Sequence, residues 1–258
     1  MKVAILAGGA GSRLGALTRD LPKPLVEIGG MPILWHVMKH FDEYGLREFV
    51  LALGYRGDVV KRWLLDYALT RGSVTFDLAE GSIARHPAGS EEWIVHAVET
   101  GRGTDTGGRV GRLREWVGSN TFMLTWCDGV SDVDLGALLA FHRRHGRLAT
   151  MTAVRQPSAF GRVAIQDAEV TQFTEKPAVD DEWINGAFFV LEPGIFDYID
   201  ADGNSWERDC LPALVRDGQL MAYRHTGFWQ CMDTAVHKAS LEEMWATGQA
   251  PWTSEGTK

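Results

Sequence analysis

The chain opens on Val3 to Ala7, an unbroken apolar run that stops at Gly8-Gly9. A run that is apolar throughout, rather than at alternate positions, predicts a strand over 2–7 buried on both faces. Ile33, Leu34, Val37, Met38 and Phe41 then recur at helical spacing. With Pro32 placed for a first turn and Gly45 for a C-cap, they predict a helix over about 32–44. The alternation continues. Extended segments are predicted at Glu48–Leu53, Val74–Leu78, Trp93–Glu99 and Phe122–Trp126, and helices at Val59–Leu69, Thr106–Val117 and Leu135–His145, the last closed by Gly146. Repeated strand-then-helix units predict an α/β fold, a three-layer and mostly parallel mixed sheet flanked by helices.

After about residue 150 the pattern shifts to shorter extended pieces: Ala149–Val154, Gly161–Gln166, Val170–Thr174 and Ile184–Leu191. These predict a smaller, more antiparallel subregion. A final helix is expected over 234–247, with a frayed tail after Trp252. No Pro- or Ser-rich linker and no internal repeat divides the chain, so a single domain over 1–258 is expected, with halves at 1–150 and 151–258.

With 258 residues, 45% of them apolar, the chain can fill a globular interior. No apolar run is long enough to span a bilayer, and the first one meets glycine too soon for a secretory signal, so a cytoplasmic address is expected. Cys127, Cys210 and Cys231 form neither a C-x-x-C pair nor an even framework, which argues against zinc ribbons and disulfide scaffolds. A formal net charge of -8 excludes the basic field that nucleic acid or an anionic membrane would require. Positive charge that clusters locally against this background is therefore informative.

Such a cluster follows the first strand. In LAGGAGSRLGALTRDLPKPLVEIGG, residues 6–30, Gly8, Gly9 and Gly11 leave backbone N–H groups bare beside Arg13, and Lys23 is held between Pro22 and Pro24. Glycines alone equally make a tight turn with solvated cations nearby; the added Arg13 and Lys23 suit a polyphosphate. The spacing is neither a P-loop nor the dinucleotide fingerprint, since Leu14 stands where the third glycine belongs. That counts against a nicotinamide-dependent oxidoreductase.

This stretch resembles the signature of the sugar-phosphate nucleotidyltransferases. GGMPILWHVMKHF, DTGGR, DGVSDVDL, TEKP, WINGAFFVLEP and GFWQCMDT are, in the same order, similar to the branch of that family that joins CTP to glucose 1-phosphate. The resemblance spans nearly the whole chain. It implies a Rossmann-like fold with a nucleotide half and a sugar half, and Mg²⁺-dependent transfer of CMP that yields CDP-glucose and pyrophosphate. It further implies a homo-oligomer whose product feeds deoxysugars of cell-surface polysaccharides or secondary metabolites.

The resemblance also assigns residues. Leu6, Ala7, Gly8, Gly9, Ala10, Gly11, Ser12, Arg13, Lys23, Thr104, Arg109, Cys127 and Asp128 would bind the nucleotide, with Arg13, Lys23 and Asp128 at the chemistry. Asp128 and Asp233 would converge on one Mg²⁺, although an aspartate before a glycine or a helix is otherwise read as a turn former or an N-cap. Gly161, Glu175, Lys176 and Asn185 would hold glucose 1-phosphate. Three positions depart from the pattern: Leu21 where a lysine is common, Cys127 for a small glycine, and Ala187 for a second glycine after Asn185. UTP or dTTP in place of CTP, another sugar 1-phosphate, and a catalytically silent nucleotide-sugar sensor are the competing readings.

Two features invite no role. His36 and His40 stand four apart on a predicted helix but complete no H-E-x-x-H pattern. Most of the ten tryptophans are read as core or interface anchors, with only Trp183 and Trp229 beside the proposed sites.

Overall fold

A computed structural model describes residues 1–19, 21–86, 91–155, 162–174, 182–200 and 203–253. Its main sheet has seven strands: β1 (Lys2–Leu6), β2 (Glu48–Leu53), β3 (Ile94–Glu99), β4 (Phe122–Trp126), β5 (Ala149–Val154), β6 (Ile184–Leu191) and β7 (Leu220–Arg224). Their order across the sheet is β7-β5-β6-β4-β1-β2-β3. Neighbours pair in parallel except at β6, which runs against both β4 and β5. The sheet is therefore mixed but mostly parallel, as the alternation predicts. A hairpin of Arg162–Gln166 with Glu169–Thr174 is the smaller antiparallel piece.

The apolar run at the start of the chain is explained by what lies on each side of it. Val3 and Ile5 join Phe49, Leu51 and Met123 in a core closed by Leu34, Val37, Met38 and Phe41 of α1 (Ile33–Glu43). Ala4 and Leu6 join Val50, Ala52 and Leu124 in a second core on the opposite face, closed by Val110, Leu113 and Trp206. Each fully buried Val, Leu or Ile side chain contributes on the order of 1.5–3 kcal/mol, so a central strand such as β1 is apolar at each of its buried positions, Val3 to Leu6.

Remaining helices are α2 (Gly57–Thr70), α3 (Thr106–Arg112), α4 (Leu135–His145), α5 (Leu211–Arg216) and α6 (Ala235–Ala246). The predicted helix over 106–117 is two pieces, since Leu113 N–H bonds back to Val110 rather than a full turn away and Arg114–Val117 restarts beyond it. Three glycines in α3, Gly107, Gly108 and Gly111, weaken helix propagation there. Gly146 closes α4 in the left-handed conformation (φ 63°), and Asp134 caps its start by accepting from Ala137 N–H at 2.8 Å.

Topology places the site. From β1 the chain moves through α1 to β2 on one side, whereas β4 pairs on the other side of β1. Strand order thus reverses between β1 and β4, and a crevice opens outside their carboxyl ends.

Candidate active site

The loop beyond β1 winds through short 3₁₀ turns over Ser12–Thr18, kinked at Gly15, and a further one at Lys23–Leu25. Pro22 in extended conformation and Pro24 in the first turn fix the backbone of Lys23, whose side chain points inward and is only 8% exposed. A buried ammonium needs partners. It has two: its Nζ donates to Asp233 Oδ1 at 2.5 Å and to Asp128 Oδ2. Asp233 also meets the largely exposed Arg13 guanidinium at 2.8 Å.

A three-residue ribbon brings the two aspartates together. Gly129–Ser131, directly after Asp128, pairs antiparallel with Trp229–Cys231, and Met232 N–H donates to the Asp128 carbonyl at 2.8 Å. Asp233 follows at once, so both carboxylates leave the ribbon at the same end. Burial works against the Lys23 charge, but the carboxylates of Asp128 and Asp233 outweigh it and raise its pKa above the ordinary lysine value. Burial likewise opposes the Asp233 charge, yet Lys23 and Arg13 hold its carboxyl below the usual range.

Around this cluster lies a cleft of about 540 Å³, the size that a small-molecule ligand fills. Leu6, Gly8, Gly9, Gly11, Ser12, Arg13, Lys23, Thr104, Arg109, Cys127, Asp128 and Asp233 all line it. Ala7 and Ala10 do not: Ala7 is packed in the core with its N–H on the Ala52 carbonyl, and Ala10, between two lining glycines, is exposed. Two glycines have identifiable reasons. Gly11 sits at φ 63° with Lys23 and Thr18 against it, and a Cβ on Gly8 would strike the Arg109 guanidinium.

Arg109 is buried, and Nη1 donates to Thr100 Oγ1 at 2.7 Å and to the Gly101 carbonyl at 2.8 Å. Burial pulls its pKa below the ordinary arginine value. It therefore ties the 100–102 segment beneath the glycine loop as well as reaching the cleft. Thr104 donates to the Thr100 carbonyl at 2.5 Å and accepts from Arg112 at 2.7 Å. Cys127 is buried, and desolvation raises its pKa far above the ordinary thiol value, so it is a neutral wall rather than a nucleophile.

Arg102, Gly103, Asp105, Thr106 and Trp126 also line the cleft, and sequence reasoning missed them. The signal for Trp126 was its place at the carboxyl end of β4, paired with Leu6. The others flank Thr104 in a stretch that is also tied to a distant part of the chain: Thr106 donates to Glu207 at 2.5 Å, and Arg208 pairs with Asp105 at 2.7 Å.

At the sugar end, Gly161, Glu175 and Lys176 lie outside the described residues. Asn185 is the second residue of β6, where its side chain accepts from Ala187 N–H at 2.8 Å, and the Trp229 indole donates to the Gly186 carbonyl at 2.7 Å. Of the three departures, Leu21 packs half-buried against the core rather than lining the cleft, and Ala187 occupies the left-handed region at φ 60°. His36 and His40 bond the carbonyls of Ile28 and Val133 at 2.8 and 3.0 Å, which accounts for both imidazoles.

The donor set bears on a metal. Two carboxylates directed at one cationic position, with no third acidic, imidazole or thiol ligand completing a cage among the described residues, suit Mg²⁺. That ion keeps waters and substrate phosphate oxygens beside one or two protein carboxylates. Asp128 and Asp233 fit the role.

A loop of bare amides and cations at the switch point of an α/β sheet, facing a carboxylate pair, is the arrangement of an enzyme that handles nucleoside triphosphates. The Nucleotidyl transferase family model matches residues 2–247, and the chain belongs to that family. Within it, the chain is 46% identical to glucose-1-phosphate cytidylyltransferase of Salmonella typhi over 98% of each protein, and equally identical to that of Salmonella typhimurium. The fold is also that of HddC from Yersinia pseudotuberculosis, with a TM-score of 0.69, 21% identity and coverage of 95% of this chain and 99% of that one.

Proposed function

We propose that the chain transfers a cytidylyl group from CTP to α-D-glucose 1-phosphate, releasing pyrophosphate and CDP-glucose. One phosphate oxygen of the sugar attacks the α-phosphorus of CTP, and the bond from that phosphorus to the β-phosphate bridging oxygen breaks. No general base is needed, since the attacking oxygen is already anionic. Catalysis is then alignment and charge neutralisation. The observation that carries this reading is the convergence of Lys23, Asp128 and Asp233 in the cleft below the glycine loop. Lys23 and Arg13 face the phosphates. Asp128 and Asp233 would hold Mg²⁺, which supplies further neutralisation of the triphosphate when bound.

In this reading residues 1–150 form the nucleotide half and 151–258 the sugar half of a single domain, with Gly161, Glu175, Lys176 and Asn185 at the sugar phosphate. Cytoplasmic location and a homo-oligomer complete it. No described helix is long and apolar enough to cross a membrane, and Phe76, Leu78 and Ile83 lie exposed on one hairpin, as an association surface requires. The product would feed deoxysugars of cell-surface polysaccharides or of secondary metabolites. Pyrophosphate release by the purified chain tests the reaction: it should require CTP, glucose 1-phosphate and Mg²⁺ together and stop on chelation. Release without the sugar phosphate, or none at all, contradicts it.

A further inference from the structure

The ribbon that brings Asp128 and Asp233 together is three residue pairs wide and belongs to no larger sheet. A two-stranded piece of that size is marginal on its own, yet it carries both carboxylates assigned to a metal. At the carboxylate end it is closed by the bond from Met232 N–H to the Asp128 carbonyl. Side chains close the opposite end, where Ser131 faces Trp229.

His225 is the centre of that closure. Its backbone still belongs to the main sheet, since it directly follows β7 and its N–H donates to the Ala153 carbonyl of β5 at 2.9 Å. Its side chain, only 10% exposed, turns to the ribbon, where Nε2 stands 3.0 Å from Asp132 Oδ1 and 3.1 Å from the Phe228 carbonyl. A carboxylate and a carbonyl only accept, so Nε2 carries the proton and donates. The Phe228 carbonyl also accepts from Ser131 Oγ at 2.7 Å and from Asp132 N–H at 3.2 Å. Three donors thus meet on an oxygen with two lone pairs. Asp132 itself lies between two buried residues that are tied in place. Ser131 Oγ accepts from Val133 N–H at 3.2 Å, and His40 of α1 donates to the Val133 carbonyl at 3.0 Å. Gly227 lets the turn pass this close, for a Cβ there would stand 2.5 Å from Asp132 Oδ1 and 2.7 Å from His225 Cε1.

The aspartates of DGVSDVDL therefore divide their tasks. Asp128 meets the Lys23 ammonium, Asp134 caps α4, and Asp132 bonds His225. Neither His225 nor Asp132 lines the cleft, so any effect they have on the reaction passes through the ribbon. Mg²⁺ demands near-ideal octahedral geometry, and a displacement of about 1 Å at a reacting centre is already costly. We infer that His225 is a positioning residue for the metal carboxylates: through Asp132 and the Phe228 carbonyl it latches the ribbon to the end of the main sheet and fixes where Asp128 and Asp233 meet Mg²⁺. This deepens the reading above and rests on the metal role given there to the two aspartates.

Two readouts test the latch, one of them without turnover. At fixed CTP and with no sugar phosphate, Mg²⁺ should raise the Tm of the wild-type chain saturably. In His225→Ala the Mg²⁺ concentration at half-maximal rise should be about tenfold higher, the low end of what loss of an outer partner of a metal ligand costs. His225→Gln, whose amide still donates, should return to within about threefold of wild type. Gly227→Ala keeps both partners but drives a methyl group between them, and it should behave as His225→Ala does. In steady-state kinetics, His225→Ala and Gly227→Ala should shift the Mg²⁺ dependence and lower kcat, while KM for glucose 1-phosphate stays within about twofold. A lowered Tm with unchanged Mg²⁺ half-saturation, in either folded variant, would make the latch purely structural and overturn the inference. A wild-type chain whose Tm ignores Mg²⁺ overturns the metal role and the latch together. If the wild-type chain responds to Mg²⁺ but forms no nucleotide sugar, the proposed activity is wrong, and the Tm series alone decides the latch.

Discussion

Lys23 Nζ stands 2.5 Å from Asp233 Oδ1, although 210 residues separate the two, and the same ammonium meets Asp128 on its other side. A single cation thereby holds a carboxylate pair that would otherwise repel. Replacing it by Lys23→Met should lower kcat by on the order of a hundredfold, comparable with loss of one preorganised electrostatic donor. An effect confined to KM for CTP would mean that the lysine only gathers triphosphate. The same variant leaves Asp128 and Asp233 facing each other with Arg13 alone nearby, so added Mg²⁺ should raise its Tm by more than it raises that of the wild type. Equal gains would place the metal elsewhere.

Asp128→Asn and Asp233→Asn should each remove most turnover. Each also leaves the buried Lys23 with one carboxylate fewer, at a cost of about 1–3 kcal/mol. The pH dependence has a definite sign. Asp233 has a lowered pKa, so its contribution to stability is present above about pH 4 and is lost as acid passes through the folded value. Lys23 has a raised pKa, so its contribution holds below about pH 10.4 and is lost as pH climbs through the folded value. Denaturant melts of wild type and Asp233→Asn should therefore differ by a constant amount from pH 5 to 9 and converge below about pH 4. A gap that varies steadily across neutrality is the contrary result.

Ala187→Gly should stabilise the fold. An alanine at φ 60° costs about 1–2 kcal/mol, of which glycine returns roughly 0.5–1 kcal/mol through its greater freedom when unfolded. A net gain of about 0.5–1 kcal/mol is expected, seen as a Tm higher by about 1–3 °C. A lower Tm would show that the alanine methyl group packs usefully despite its backbone.

The wall of the cleft at 102–106 is anchored through Thr106, which accepts from Trp206 N–H at 3.0 Å and donates to Glu207. Thr106→Val removes both bonds and should raise KM for CTP several-fold more than KM for glucose 1-phosphate. Equal effects on both substrates would assign the bonds to stability alone.

Much of the sheet was legible because its strands obey one local rule. β2, β4, β5 and β6 are apolar segments bounded by polar or turn residues, and their ends fall where that boundary lies. β7 gives no such signal: Met221 and Arg224 are exposed, and the strand is held by pairing with β5. The convergence of Asp128 and Asp233 is likewise invisible along the chain, since it depends on a ribbon three residues wide closed across about a hundred residues. Arg109 looks like a cation awaiting phosphate, and only folding reveals the Thr100 hydroxyl and Gly101 carbonyl to which it already donates. Local pattern exposes what burial alone dictates, whereas long-range pairing decides which charges meet.

Nucleotide choice is the most direct test of the proposed activity. The purified chain is given equimolar CTP, UTP and dTTP with glucose 1-phosphate and Mg²⁺, and the nucleotide-sugar products are resolved by mass at early times. The expected result is CDP-glucose in clear excess, vanishing in Asp128→Asn. UDP-glucose or dTDP-glucose in equal or greater amount would contradict cytidylyl transfer as the function of this site.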